Sequence, residues 1–196
     1  MIAMSRLSQV DCAKLTPEQQ DLYDSIAKGP RAAKRRSIVD ENGNLIGPFN
    51  GFLHHAVLGK HWSAIGETLR FRTKLDRRLF ELAVLVIAAH WRCGHEWTVH
   101  TGLARGQGLD DAVIAAILAG QYPAFEKQDE ETVYRFVHEL VTQHRIGEAT
   151  YTVARALLGE AQLVELANAA GYYIALAAML AAFDVQAPKE FTDPWG

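Results

Sequence analysis

The sequence is poor in cysteine: Cys12 and Cys93 are its only two in 196 residues. Two thiols cannot build the disulfide framework of a small secreted domain, so a reducing cytoplasm is the default compartment. A basic stripe is also missing. Twenty Lys and Arg are interspersed among 23 Asp and Glu, for a formal net charge of -3, which gives no footprint for a nucleic-acid partner. The single basic run, Arg31-Ala-Ala-Lys34-Arg35-Arg36, is short and loop-like, and reads as a solvated connection or a phosphate site. The opening MIAMSRLSQVDC has no apolar core of signal-peptide length. Elsewhere the most apolar stretches meet a charge or a histidine before eighteen residues accumulate, so neither a targeting segment nor a membrane partner is expected. Runs that alternate like strands are absent as well, which leaves an all-α chain.

What is present is ordinary globular composition, 49% hydrophobic and 22% charged, enough for one filled core and one domain over 1–196. Thr16-Pro17-Glu18-Gln19 supplies an N-cap, a proline at the first helical position and a Gln three residues on, so a helix is expected from about 17 to 28, ended by Gly29-Pro30. The turn-rich DENGNLIGPFNG at 40–51 should connect to one or two helices over 52–69, interrupted near Gly59. Asp76 reads as the N-cap of a helix that is apolar almost all round from Leu79 to Ala89, which belongs in the middle of a bundle or at a subunit contact. Helices are also expected over 96–105, from Asp110 through Leu118, over 129–143, over 148–158 and over 161–183, the last broken softly at Gly171. The tail VQAPKEFTDPWG reads as extended.

Glu81 interrupts the apolar run. A buried carboxylate without a partner costs several kcal/mol or titrates upward. It either pairs with Arg77 or Arg78 within its helix or is aimed into a pocket.

The chemistry concentrates in HWRCGHEWTVH at 90–100. His95-Glu96 begins like the H-E-x-x-H zinc signature, but the next histidine is His100. Five residues at about 100° each put the two rings roughly 140° apart, too far for an i, i+4 chelate. Cys93, Glu96 and His100 do share a face at i, i+3 and i+7, a set that could hold a metal. Thiol chemistry would place a second sulfur at 96, where Glu96 stands, so no local disulfide can form. Cys93 alone, near a helix N-terminus and beside His95, would favour its thiolate. Glu96 and His100, at i, i+4, are spaced to act as an acid and base pair or to form a plain structural pair. His90, Trp91 and Trp97 supply surfaces that could wall a small pocket, and His54, His55 and His61 could line the same cavity.

These residues resemble the carboxymuconolactone decarboxylase family, which includes the AhpD-like alkylhydroperoxidases. The resemblance lies in RRLFELAVLVIAAHWRCGHEWTVHTGLARGQGLDDAVIAAIL, within a core motif at 76–120: Glu81, eleven residues, Cys93, and His100 seven later. GPFNGFLHHAVLG at 47–59 and GYYIALAAMLAAFDV at 171–185 agree with a longer branch marked by E-W-x-x-H, here Glu96 to His100. The resemblance implies an AhpD-like helical bundle assembled as a homotrimer or homohexamer, acting on a small-molecule substrate with no cofactor and no metal. In the hydroperoxidase branch a glutamate, two cysteines and histidines relay protons to a reactive thiol. By position these are Glu81, Cys93, His95 and His100, with Glu96 where the nucleophilic second cysteine would be. In the decarboxylase branch, the resemblance implies proton transfer by Glu96 and His100 near Glu81 on a carboxylated lactone.

Overall fold

The computed structural model describes residues 5–30, 38–188 and 191–196. The basic run at 31–36 lies outside the described residues. Among those described, eight helices run in the order α1 (Pro17–Ala27), α2 (Pro48–His54), α3 (Ala56–Phe71), α4 (Arg77–His90), α5 (Gly94–Gly106), α6 (Asp111–Leu118), α7 (Gln128–Gln143) and α8 (Glu148–Ala182). The fold is all-α, with one isolated bridge between Val39 and Leu45.

Helix α4 is the axis of the bundle. Every residue from Leu79 to Ala88 is at most 4% exposed, because α5, α6, α7 and α8 all pack against it. A helix that is apolar on every side has found apolar neighbours on every side within its own chain, which decides between the two sites expected for it. Asp76 caps it by accepting from the Arg78 backbone N–H at 2.8 Å. At the same end, Arg78 holds Asp129 at 2.6 Å and pairs with Glu130, tying α4 to the first turn of α7. Glu165 of α8 accepts from the backbone N–H groups of Lys74 and Leu75, both within 3.1 Å, and so anchors the α3–α4 connection.

Two helix breaks differ from expectation. The interruption between α2 and α3 falls at His55 (φ -140°, ψ 80°), whose ring Nδ1 caps α3 by accepting from the Leu58 N–H at 3.3 Å. Gly59 lies inside α3 and is needed for a close approach: a Cβ there would sit 2.4 Å from the Phe52 carbonyl oxygen and 2.7 Å from the Phe52 Cβ. In α8 the break expected between 158 and 161 falls at Gly159, where φ is 72°, whereas the soft break expected at Gly171 is absent and that residue is helical. Past the break, Leu163, Leu166, Ala169, Ala170, Tyr173, Leu176, Ala177 and Leu180 are buried. Contrary to the run-length reading, α8 contains an 18-residue window apolar and long enough to cross a membrane by composition, and 44% of that window is buried inside the protein.

The C-terminal tail folds back over the start of α5. Trp195 meets Trp97 edge-on, ring centroids 5.4 Å apart, and the Asp193 carboxylate lies where a Cβ on Gly94 would be, 1.8 Å from its Oδ2.

Gly59→Ala should destabilise the protein by about 1–3 kcal/mol in urea unfolding, the range for overpacking a tight contact. The contrast is Gly102→Ala on α5, where nothing lies within 4 Å of the added Cβ. There the better helix propensity of Ala should leave stability unchanged or slightly raised.

Candidate functional site

The site is built where α4 turns into α5. After His90 the chain reverses in three residues, with Arg92 in the left-handed region at φ 48°. Cys93 then serves as N-cap of α5, its carbonyl accepting from the Trp97 N–H at 2.9 Å. This reversal lays α5 along α4, so that Glu96 and His100, one turn apart, face Glu81. The His100 Nδ1 is 2.5 Å from Glu81 Oε2, and its Nε2 is 3.2 Å from Glu96 Oε2. All three side chains are buried, none more than 5% exposed. On its other oxygen, Glu81 accepts from Arg77 at 2.7 Å. Both readings of Glu81 therefore hold: it pairs within its helix and also reaches the cluster.

A neutral imidazole donates from only one nitrogen, whereas here each nitrogen faces a carboxylate oxygen; the protonated ring satisfies both. Burial alone would lower the His100 pKa, but Glu81 and Glu96 outweigh it and hold the imidazolium above its usual range. The carboxylates respond in the opposite sense. Burial pushes Glu81 up, and His100, Arg70 and Arg77 together bring it below the usual carboxylate range. Burial likewise pushes Glu96 up, and His100, His95 and Arg70 bring it below that range. The expected upward titration of a lone buried Glu81 is thus reversed by its neighbours.

Cys93 is the second reversal. Its thiol was expected to ionise easily at a helix N-terminus, but burial, then the charge of Glu96, then Asp193 push it up to about 12, against the weaker pull of the Glu96 and His95 backbone N–H groups. At 8% exposure it lies beneath the folded tail. Cys12 is elsewhere, its backbone N–H held by Asn44 Oδ1 at 3.1 Å.

The remaining candidates divide by position. The His95 ring lies against Gly47, where a Cβ would be 2.4 Å from its Cε1, and its Nδ1 is 3.3 Å from the Gln186 carbonyl oxygen. It braces the tail and the GPFNG turn. Trp97 is buried, packed on Trp195. His90 and Trp91 are exposed at the outer end of α4. His90 lines a different cleft of about 300 Å³, shared with Arg92, Tyr134, His138 and Trp195. The expected wall of a common pocket is therefore reduced to Trp97. His54 meets the Ser8 carbonyl at 3.0 Å, His55 caps α3, and His61 is exposed, so the cavity expected for these three is not formed. Among the described residues no group of three or more His, Cys, Asp or Glu is arranged to hold a metal ion. In the alternative set of Cys93, Glu96 and His100, both imidazole nitrogens are engaged by carboxylates.

Beside the cluster stand Arg77, expected from the sequence as a partner of Glu81, and two side chains that were not singled out, Tyr173 and Arg70. Tyr173 of α8 packs edge-on against the His100 ring, centroids 5.1 Å apart. Arg77 carries the outer oxygen of Glu81. Arg70 of α3 lies in the field of Glu81, Glu96, Tyr172 and Tyr173. The available signal for Arg70 was its spacing from Gly59, Ser63 and Gly66, which puts a guanidinium on the buried face of an amphipathic helix.

Residues 57–139 match the Carboxymuconolactone decarboxylase family. The fold is shared with the crystal structure of an alkylhydroperoxidase AhpD core, an uncharacterized peroxidase-related protein from Ralstonia eutropha JMP134, at a TM-score of 0.77 and 14% identity over 97% of this chain and 95% of that one. A protein of unknown function from Agrobacterium tumefaciens, given a provisional AhpD antioxidant-defence role, aligns at a TM-score of 0.63 and 18% identity over 71% of this chain and 96% of that one. A search of curated proteins gave no match. The match over residues 57–139 and the shared all-α fold support the resemblance to the carboxymuconolactone decarboxylase, AhpD-like family.

The cluster sets a pH dependence of stability. His100 has a raised folded pKa, so its contribution is complete below about pH 6.5 and is lost as pH rises through the folded value. Glu81 and Glu96 have lowered folded pKa values, so theirs is present above about pH 4.5 and is lost as pH falls through the folded values. The Tm difference between the wild type and His100→Gln should be largest between those limits. There it should correspond to roughly 3–5 kcal/mol, the cost of leaving buried charges unpaired, and it should shrink on both sides in melts across pH.

Proposed function

We propose that this protein is an enzyme that carries out cofactor-free proton-transfer chemistry on a small lactone or organic acid, with decarboxylation of a carboxylated lactone as the reaction. The observation that carries this reading is the buried His100 imidazolium held between Glu81 and Glu96. Loss of carbon dioxide breaks a carbon–carbon bond and leaves its electron pair on the conjugated lactone, so the site must supply one proton to carbon and a donor to the developing oxyanion. The two histidine contacts are unequal. The tight one, to Glu81, is backed by Arg77 and keeps that carboxylate ionised. The looser one, to Glu96, is the side on which a proton can leave: it passes from Nε2 to Glu96 and on to the substrate carbon, and solvent restores it. Glu96 and His100 are the proposed catalytic residues, and Glu81 is a positioning residue that holds the ring and its charge.

The names of the structural neighbours favour a second reading, hydroperoxide reduction, with Cys93 as the thiol. Against it stand the high pKa of that thiol and the carboxylate at 96, since the thiolate is the nucleophile and none is available near neutrality. A third reading is a non-catalytic oligomer that binds a small ligand. A cytoplasmic homotrimer or homohexamer fits all three. Val57, Leu58 and Ile65 on α3 and Val153, Leu157 and Val164 on α8, all exposed in the isolated chain, are apolar surface available for such contacts.

The readings separate with 4-carboxymuconolactone and tert-butyl hydroperoxide as alternative substrates. His100→Gln should lower lactone turnover by about 10²–10⁴-fold, the range for loss of general acid–base catalysis. Cys93→Ser should stay within about threefold of the wild type, far inside that range. Hydroperoxide turnover that disappears in Cys93→Ser would replace the acid–base assignment with the thiol one. Turnover of neither substrate, with ligand binding intact, would leave the binding protein.

A further inference from the structure

The Nε of Arg70 is buried and has no hydrogen-bond partner. That is unusual for a guanidinium, whose five N–H groups normally find acceptors when removed from water. The nearby carboxylates are already engaged. Glu81 gives one oxygen to Arg77 and the other to His100, and Glu96 faces His100. Arg77 also reaches back to the Leu69 carbonyl at 3.4 Å, the residue before Arg70 in the chain. With the imidazolium protonated, three cations (Arg70, His100 and the half-buried Arg77) meet two carboxylates, so the group carries one positive charge in excess.

We propose that Arg70 is the substrate-binding residue of the site and that the site takes a small organic acid, one carboxylate of which is held by the Arg70 guanidinium. A planar fork is suited to a carboxylate, and the anion would balance the excess charge and satisfy the orphaned donor together. The assignment of the ligand as the reacting molecule rests on the acid–base reading above, whereas the binding step does not.

The probes are 5-oxotetrahydrofuran-2-carboxylate and its carboxamide, titrated calorimetrically into the wild type, Arg70→Met and Arg70→Lys. The wild type should bind the carboxylate at least about tenfold more tightly than the amide, as expected for a charge-assisted hydrogen bond. Arg70→Met should erase the preference, and Arg70→Lys, which keeps the charge without the fork, should retain part of it. If Arg70→Met does not fold by circular dichroism, the wild-type preference and its reduction in Arg70→Lys decide the matter. The proposal is overturned if the wild type fails to bind the carboxylate, if it binds both probes equally, or if the folded variants keep the full preference. Carboxylate selectivity that depends on Arg70 in a protein with no lactone turnover would sink the acid–base reading and leave this one standing. Turnover lost in His100→Gln, with no role for Arg70 in binding, would do the reverse.

Discussion

Everything at the centre of this molecule depends on one buried imidazolium held between two buried carboxylates. Any of the three groups alone would be expelled or neutralised, because an ionised group buried without a partner costs far more than a small domain can offset. Together they keep one another charged: Glu81 and Glu96 hold the proton on His100, and His100 holds both carboxylates ionised. The arrangement needs α4 and α5 to lie antiparallel at close range, and the left-handed Arg92 with Cys93 as cap provides the reversal.

The same turn carries a thiol, and its surroundings treat it in the opposite way. A cysteine becomes reactive when cations or helix N–H groups stabilise its thiolate. Here burial and the negative charges of Glu96 and Asp193 all act against the thiolate. One local framework thus favours a charged imidazole and disfavours a charged thiol.

Legibility in the sequence followed the range of the interaction. The caps at Thr16, Asp76 and Asp110 and the apolar run of α4 were readable because they rest on contacts a few residues apart. Glu96 with His100 was readable for the same reason, one turn of one helix. The α2–α3 break was misplaced because Gly59 looks like a helix breaker, and only its closeness to Phe52 shows it is there for packing. The break between 158 and 161 was readable and falls at Gly159, but the soft break at Gly171 did not form, since composition does not reveal which glycine has a positive φ. His90, Trp91 and His95 share the motif with His100, yet neighbours in sequence leave a helix in different directions.

By itself the sequence determined the helical class, most of the element boundaries, the pairing of Glu96 with His100 and the absence of a second sulfur beside Cys93. Each of these is a matter of period, spacing or residue identity. Only the tertiary structure decided the ionisation states. Glu81 is low because His100, Arg70 and Arg77 act on it from α5, α3 and its own helix, and Cys93 is high because it is buried beside Glu96 and in the field of Asp193 from the tail. A charge in a protein is set by what surrounds it in space, and those surroundings come from segments as much as 100 residues away along the chain (Cys93 and Asp193).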